Sequence, residues 1–208
     1  MDASLGGDDW AGNGAAKTAL RDQVLAARRR RPLEAAAEFA ATVSAVALAW
    51  EPVRRAGTVA AYVSVGGEPG TGLLLDALVA AGKRVIVPVL RPDNDLDWAL
   101  YTGPASLAPA SRGLLEPAGA RLGADAVRSA DVVLVPGLAV SPSGDRLGRG
   151  GGSYDRALAR VVAGTPVAVV LYDDEVGLAV PTDPHDVRVG FALTRGGVVA
   201  LSGSPDIR

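Results

Sequence analysis

The 208-residue chain has no cysteine, a single histidine and a single methionine. Without cysteine there is no disulfide scaffold, no thiolate zinc site and no thiol nucleophile. With His185 as the lone imidazole, a site that needs two cannot form, such as a zinc helix carrying HExxH. An excess of one charge is missing too. The 21 Lys and Arg face 23 Asp and Glu, a formal net charge of −2, which argues against a broad nucleic-acid or membrane-surface footprint. No run of about 20 apolar residues is available to span a bilayer. The opening MDASLGGDDWAGNG is acidic and glycine-rich and lacks the basic start and apolar centre of a signal peptide. Residues 1–14 are therefore expected to be a disordered tail, and the cytoplasm is the expected address.

What is present is an ordinary globular composition, 49% hydrophobic and 21% charged, which excludes disorder across the whole chain. Chemistry in such a chain runs on carboxylates, Arg, Lys, backbone amides and groups that the substrate supplies. Leu20, Val24 and Leu25 stand at helical spacing within residues 15–30. The run Arg28–Arg31 reads as the cationic end of that helix, with a phosphate patch as the alternative. Pro32 breaks it, and an Ala-rich helix is predicted from Leu33 to Trp50. Strand composition at Thr58–Val65, helical pattern at Leu73–Ala81 and the apolar run Arg84–Leu90 make a β-α-β unit with parallel pairing.

Residues 91–122 look irregular apart from a strand at Asp97–Tyr101, and a short helix is predicted at Ala124–Ser129. Further strands are predicted at Asp131–Gly137, Pro166–Tyr172 and Arg188–Thr194, with a helix near Tyr154–Val162. The expected architecture is α/β: a single three-layer α/β/α domain over residues 15–202 with a mostly parallel central sheet, then a flexible tail at 203–208.

The most informative segment is VLVPGLAVSPSGDRLGRGGGSYDRALARV, Val133–Val161. A buried strand, then Gly144, Gly148, Gly150, Gly151 and Gly152, then a helix, is an arrangement that binds anions. Glycines admit an anion close to the backbone, and amides at the helix start point at it. Arg146 and Arg149 add forked cations suited to phosphate oxygens. Asp155 falls in the first helical turn and either meets a metal-bound phosphate or complements the helix dipole. The loop lacks the GK[ST] ending of a Walker A motif and is no clean dinucleotide fingerprint.

The run LVPGLAV…GDRLGRGGGSYDRAL resembles the signature of the 5-formyltetrahydrofolate cyclo-ligase family, whose usual form ends in GYYDR. Other pieces follow in the family's order: KTALR at Lys17–Arg21, YVSVGGEPGT at residues 62–71, GKRVIVPVL at Gly82–Leu90, GLLEP at Gly113–Pro117 and PHDVRVGFALT at Pro184–Thr194. The resemblance spans Lys17 to Thr194. It implies conversion of 5-formyltetrahydrofolate to 5,10-methenyltetrahydrofolate coupled to ATP hydrolysis with Mg2+. In that chemistry the substrate's own N10 is the nucleophile, so the protein supplies positioning and charge neutralisation.

Residue by residue, the resemblance puts Lys17 and Arg21 on ATP phosphates, where an ordinary amphipathic helix face is the plainer alternative. Arg146, Gly148, Arg149, Gly150, Gly151, Gly152 and Ser153 would hold the phosphates, with Arg146, Tyr154 and Asp155 at the reacting centre. Glu68 would accept from the pterin amino groups or else be a solvated loop acid. Trp98 either stacks on the folate or packs the core, and Tyr154 either flanks the substrate or packs the helix start. Asp155 and Asp186 would face Mg2+, although Asp186 equally suits a turn cap. His185 is expected in a surface loop.

Ser153 replaces the first Tyr of GYYDR and is expected to cap the helix. Ser141 and Val140 replace the Asp and Phe of the family's LAFD stretch, Gly190 replaces the second Asp of its ending, and Glu175 stands where Gln is common. The expected partners are the small molecules ATP and a reduced folate, without nucleic acid or membrane, and a monomer is expected. The competing readings are a non-catalytic folate- or nucleotide-binding paralogue, a sugar-phosphate enzyme on a related scaffold, and an RNA binder resting on Arg28–Arg31.

Overall fold

Helix α1 (Asp8–Arg30) stops at Pro32, whose backbone at φ −59° and ψ 143° leaves the helical region, and α2 (Leu33–Ala49) departs at 103° to it. The computed structural model describes residues 8–202, with side chains from Asn13 onward. A five-residue helix α3 (Glu51–Arg55) follows, then β1 (Thr58–Ala60), α4 (Gly72–Ala80), β2 (Arg84–Leu90) and β3 (Leu96–Tyr101). The middle of the chain holds β4 (Leu107–Pro109), β5 (Leu115–Pro117), a 3-10 turn at Ala124–Ser129 and β6 (Val132–Pro136). After β7 (Ala139–Val140) and β8 (Arg146–Leu147) come α5 (Ser153–Leu158), β9 (Val167–Val170), β10 (Phe191–Thr194) and β11 (Gly197–Ala200).

Seven strands form one sheet in the order β11-β10-β9-β6-β1-β2-β3. The five inner strands run parallel, and β3 and β11 close the two edges antiparallel. Successive residues of a strand face opposite sides, and here both sides are apolar. Val59, Val85, Leu134, Val170 and Leu193 pack with Phe39 and Val43 of α2 and Leu74 and Leu78 of α4. Their neighbours Ala60, Ile86, Val133, Val169 and Ala192 pack with Ala157 and Leu158 of α5 and with Val127. The three-layer α/β/α architecture with a mostly parallel sheet is therefore present.

Local departures have physical causes. The α1 helix begins at Asp8, seven residues before the predicted start, and Asn13 donates to the Thr182 carbonyl at 2.9 Å, a contact no periodicity reveals. Residues 1–7 and 203–208, expected as tails, lie outside the described residues. Strand β1 ends at Ala60 rather than Val65 because the chain turns out of the sheet into a loop held by its own side chains. Among the described residues no single helix is long and apolar enough to cross a membrane.

The chain runs from β1 to β2 on one side, then returns to place β6 on the other side of β1. The loops leaving β1 and β6 consequently diverge and open a crevice beyond the carboxyl ends of the strands.

Candidate functional site at the diverging loops

The loop after β1 is built from hydrogen bonds of its own. The Thr71 hydroxyl donates to the Tyr62 carbonyl at 2.7 Å, Ser64 N donates to Thr71 Oγ1 at 3.0 Å, and Val65 N donates to Glu68 Oε2 at 3.0 Å. These bonds hold Glu68 inward, its side chain only 6% exposed, so it is no solvated loop acid.

The loop after β6 is a miniature hairpin, β7 paired with β8, around Ser141–Asp145. Gly144 sits at φ +89°, and a Cβ there would collide with the Val189 carbonyl, so only glycine admits this approach. Asp145 accepts from Ser141 and Ser143 and from Arg188 Nε at 2.7 Å. Ser141, which stands where the family has an acid, thus leans on the acid four residues later. Past the hairpin, Gly152 in the left-handed conformation (φ +66°) caps α5. Ser153 is the first helical residue and makes no capping bond, which corrects its expected role as N-cap. With six residues, α5 has a small dipole, so attraction for anions here rests on arginines and loop amides.

Between the two loops lies a cavity of about 600 Å3. One wall carries Arg146, Gly148–Gly152, Ser153, Tyr154 and Asp155; Glu68 and Tyr62 stand in the second loop, and Leu90, Leu96, Leu114 and Leu115 make an apolar wall. Arg146 is 6% exposed. It donates from Nη1 to the Pro136 carbonyl at 3.2 Å and from Nη2 to Asp155 Oδ1 at 3.0 Å, and its guanidinium lies 5.8 Å from the Tyr154 ring centre. Its buried Nε has no partner among the described residues. Arg149 Nε donates across the crevice to Glu68 Oε1 at 2.9 Å, so two residues expected on different ligands hold each other. Burial, with the nearby charge of Glu68, pushes the Tyr154 phenol far up, and it stays protonated as a donor.

Helix α1 lies against the same loops. Arg21 Nε donates to the Gly148 carbonyl at 2.9 Å, and its guanidinium lies beside Gly150. One turn earlier, Lys17 bonds Asp183 at 2.6 Å and Asp186 at 2.5 Å. Burial alone would lower the Lys17 pKa, but these two carboxylates more than offset it and raise it. Val187 N donates to Asp155 Oδ1 at 3.5 Å, which links the Lys17–Asp186 cluster to the cavity wall. His185 is exposed, and ligand atoms of Asp183, His185 and Asp186 lie within 4.8 Å of one another.

One further expectation fails. Trp98 is 1% exposed, packs in the core beside Ile86 and Val127, and does not line the cavity, because its position in β3 faces the covered side of the sheet. The run from Arg28 does form the cationic end of α1, as expected, but Arg28 itself is not exposed there. It is buried against Glu175, bonding it at 2.7 Å from Nε and again from Nη2, while Nη2 also reaches the Gly137 carbonyl at 2.7 Å. The signal for this was available: Arg28 continues the α1 stripe of Lys17, Leu20, Arg21 and Val24 at helical spacing, whereas Arg29 and Arg30 leave it and are exposed. The pairing of Glu68 with Arg149, 81 residues apart, had no such signal.

A model of the 5-formyltetrahydrofolate cyclo-ligase family matches residues 13–195. The 5-formyltetrahydrofolate cyclo-ligase of Mycolicibacterium smegmatis is 47% identical over 150 residues, which cover 69% of this chain and 77% of that protein. Its counterpart in Escherichia coli K12 is 35% identical over 135 residues, 63% of this chain and 74% of the relative. The NMR structure of Aquifex aeolicus 5,10-methenyltetrahydrofolate synthetase superposes with a TM-score of 0.77 at 27% identity, over 92% of this chain and 96% of that one. The synthetase from Mycoplasma pneumoniae, at TM-score 0.66 and 20% identity, shares the fold.

Proposed function

Because the chain belongs to the 5-formyltetrahydrofolate cyclo-ligase family, we propose that it converts 5-formyltetrahydrofolate to 5,10-methenyltetrahydrofolate with ATP as the activating co-substrate. The observation that carries this reading is one cavity with an arginine and glycine wall, a buried carboxylate opposite and leucines between. A formamide carbon is a poor electrophile and its oxygen a poor leaving group. Transfer of the γ-phosphoryl to that oxygen releases ADP and leaves an electrophilic carbon. N10 adds to it, loses its proton, and the C–O bond breaks to release phosphate. The protein needs no nucleophile of its own, which suits a chain without cysteine.

Arg146 suits the transferred phosphoryl, being fixed by Pro136 and Asp155 in the cavity wall. Arg149, the amides of Gly148–Gly152 and Ser153 extend that surface, and Arg21 and Lys17 bring cations from α1. Glu68 suits the amino groups of the pterin, and Tyr154 closes the reacting end. Asp155, with water access, and Asp186, joined to it through Val187, offer the hard carboxylate oxygens a dication prefers and would hold Mg2+. Bound there, Mg2+ would neutralise phosphate charge. A monomer is the state, and the cytoplasm the address, that we assign.

Purified protein with ATP, Mg2+ and 5-formyltetrahydrofolate is expected to build up the near-ultraviolet absorbance of the methenyl product. Folded protein that binds the folate without forming product would reduce the reading to a folate-binding relative.

A further inference from the structure

Outside glycine, only Asn94 and Arg112 among the described residues adopt left-handed backbone, at φ 61° and 56°. Such conformations cost on the order of 1 kcal/mol for a residue with a Cβ and persist where the surroundings demand them. These two belong to different turns, one between β2 and β3 and the other between β4 and β5, yet they hold each other. Arg112 Nη1 donates to Asn94 Oδ1 at 2.9 Å, and both residues line the rim of the cavity. Asn94 is fixed in turn, since its carbonyl accepts from Arg156 Nη2 at 2.7 Å.

Charge separates Arg112 from the other arginines of the cavity. Arg146 is paired with Asp155 and Arg149 with Glu68, whereas Arg112 has no carboxylate partner among the described residues. Its guanidinium keeps further donors beyond the Asn94 bond, in a fork suited to a carboxylate. Leu114 and Leu115 lie beside it in the same wall. A forked cation next to leucines, at the rim of a site whose inner end carries the polar groups, fits an anion attached to a flat apolar spacer.

We propose that Arg112, set by Asn94, anchors the glutamyl carboxylate of the folate tail, with the aminobenzoyl group over Leu114 and Leu115. This assignment rests on the cyclo-ligase reading and adds a specificity determinant to it. The test compares KM for 5-formyltetrahydrofolate and for 5-formyltetrahydropteroate, which lacks the glutamate, at saturating Mg-ATP. Arg112→Ala is expected to raise KM for the glutamylated substrate about five- to tenfold, the loss of one charge-assisted contact, with KM for the pteroate as in the parent. Arg112→Lys is expected to recover part of the loss, and Arg112→Gln serves if the alanine variant does not fold. KM values for the two folates that move together, or a rise in KM for ATP instead, overturn the assignment while the ligase reading stands. A parent protein that turns over neither substrate overturns both.

Discussion

Arg28 and Arg146 are the buried arginines among the described residues, and on paper they are twins. Each bonds a carboxylate, each lies under 6 Å from a tyrosine ring centre (5.7 Å to Tyr172 and 5.8 Å to Tyr154), and they take the adjacent carbonyls of Gly137 and Pro136. What separates them is access to their partners. The Glu175 side chain is 4% exposed and accepts two bonds from Arg28 and one from Tyr172 N, whereas Asp155 is 21% exposed and opens on the cavity. Burial pushes the Glu175 carboxyl up even though Arg28 opposes it, the sign of a charge sealed from water. The first pair fastens α1 to the turns that follow β6 and β9, and the second stands in the wall of the cavity, where we propose that phosphate binds. Burial alone does not tell a structural arginine from a working one.

Substitution breaks the comparison most sharply at the sealed pair. Arg28→Ala leaves Glu175 buried without compensation, and urea denaturation is expected to show a loss of about 3–5 kcal/mol. A loss below about 1 kcal/mol would mean that water reaches Glu175. At the open pair the effect moves from stability to rate. Arg146→Ala is expected to lower turnover about 10²–10³-fold while the thermal midpoint falls by only a few degrees, because Asp155 keeps its water. Equal losses of stability at the two sites would erase the distinction.

The smallest effect concerns a third arginine pair, between Arg160 and Asp95, where bonds of 2.6 and 2.9 Å sit near the surface. The hydrogen bonds from Arg160 hold the Asp95 carboxyl below its usual 3.8. A depressed carboxylate stabilises the fold above its ordinary value, and that stabilisation is lost as pH falls through 4 and below. Asp95→Asn should therefore cost about 0.5–1 kcal/mol at neutral pH and close the gap to the parent in acid, as read by denaturation at pH 7 and pH 3.

Much of this was legible from local pattern. Strand β2 coincides with its predicted span Arg84–Leu90, and α2 follows its Ala-rich periodicity to Ala49. The Gly-rich loop announced the cavity wall through its composition. Pattern failed where a residue's role depends on what lies across the crevice. The stretch Ala61–Val65 has strand composition, but Ser64 and Thr71 satisfy its backbone and turn it into a loop. Trp98 in β3 leaves stacking open beside core packing, the commoner fate of an aromatic in a strand, and the cover of the sheet gives it the core. Asn94 and Arg112, 18 residues apart and neither of them glycine, gave no sign of sharing a rim.

The bonds of α1 also impose an order of events on the growing chain. Arg21 waits for Gly148, Arg28 for Glu175, and Lys17 for Asp183 and Asp186, separations of 127, 147, 166 and 169 residues. Such distant closures come late in folding. During synthesis the helix leaves the ribosome long before its counter-charges exist, and its stripe of Lys17, Arg21 and Arg28 stays solvated meanwhile. Docking of α1 therefore marks completion: the cations it carries reach the crevice only once the chain has been made through Asp186.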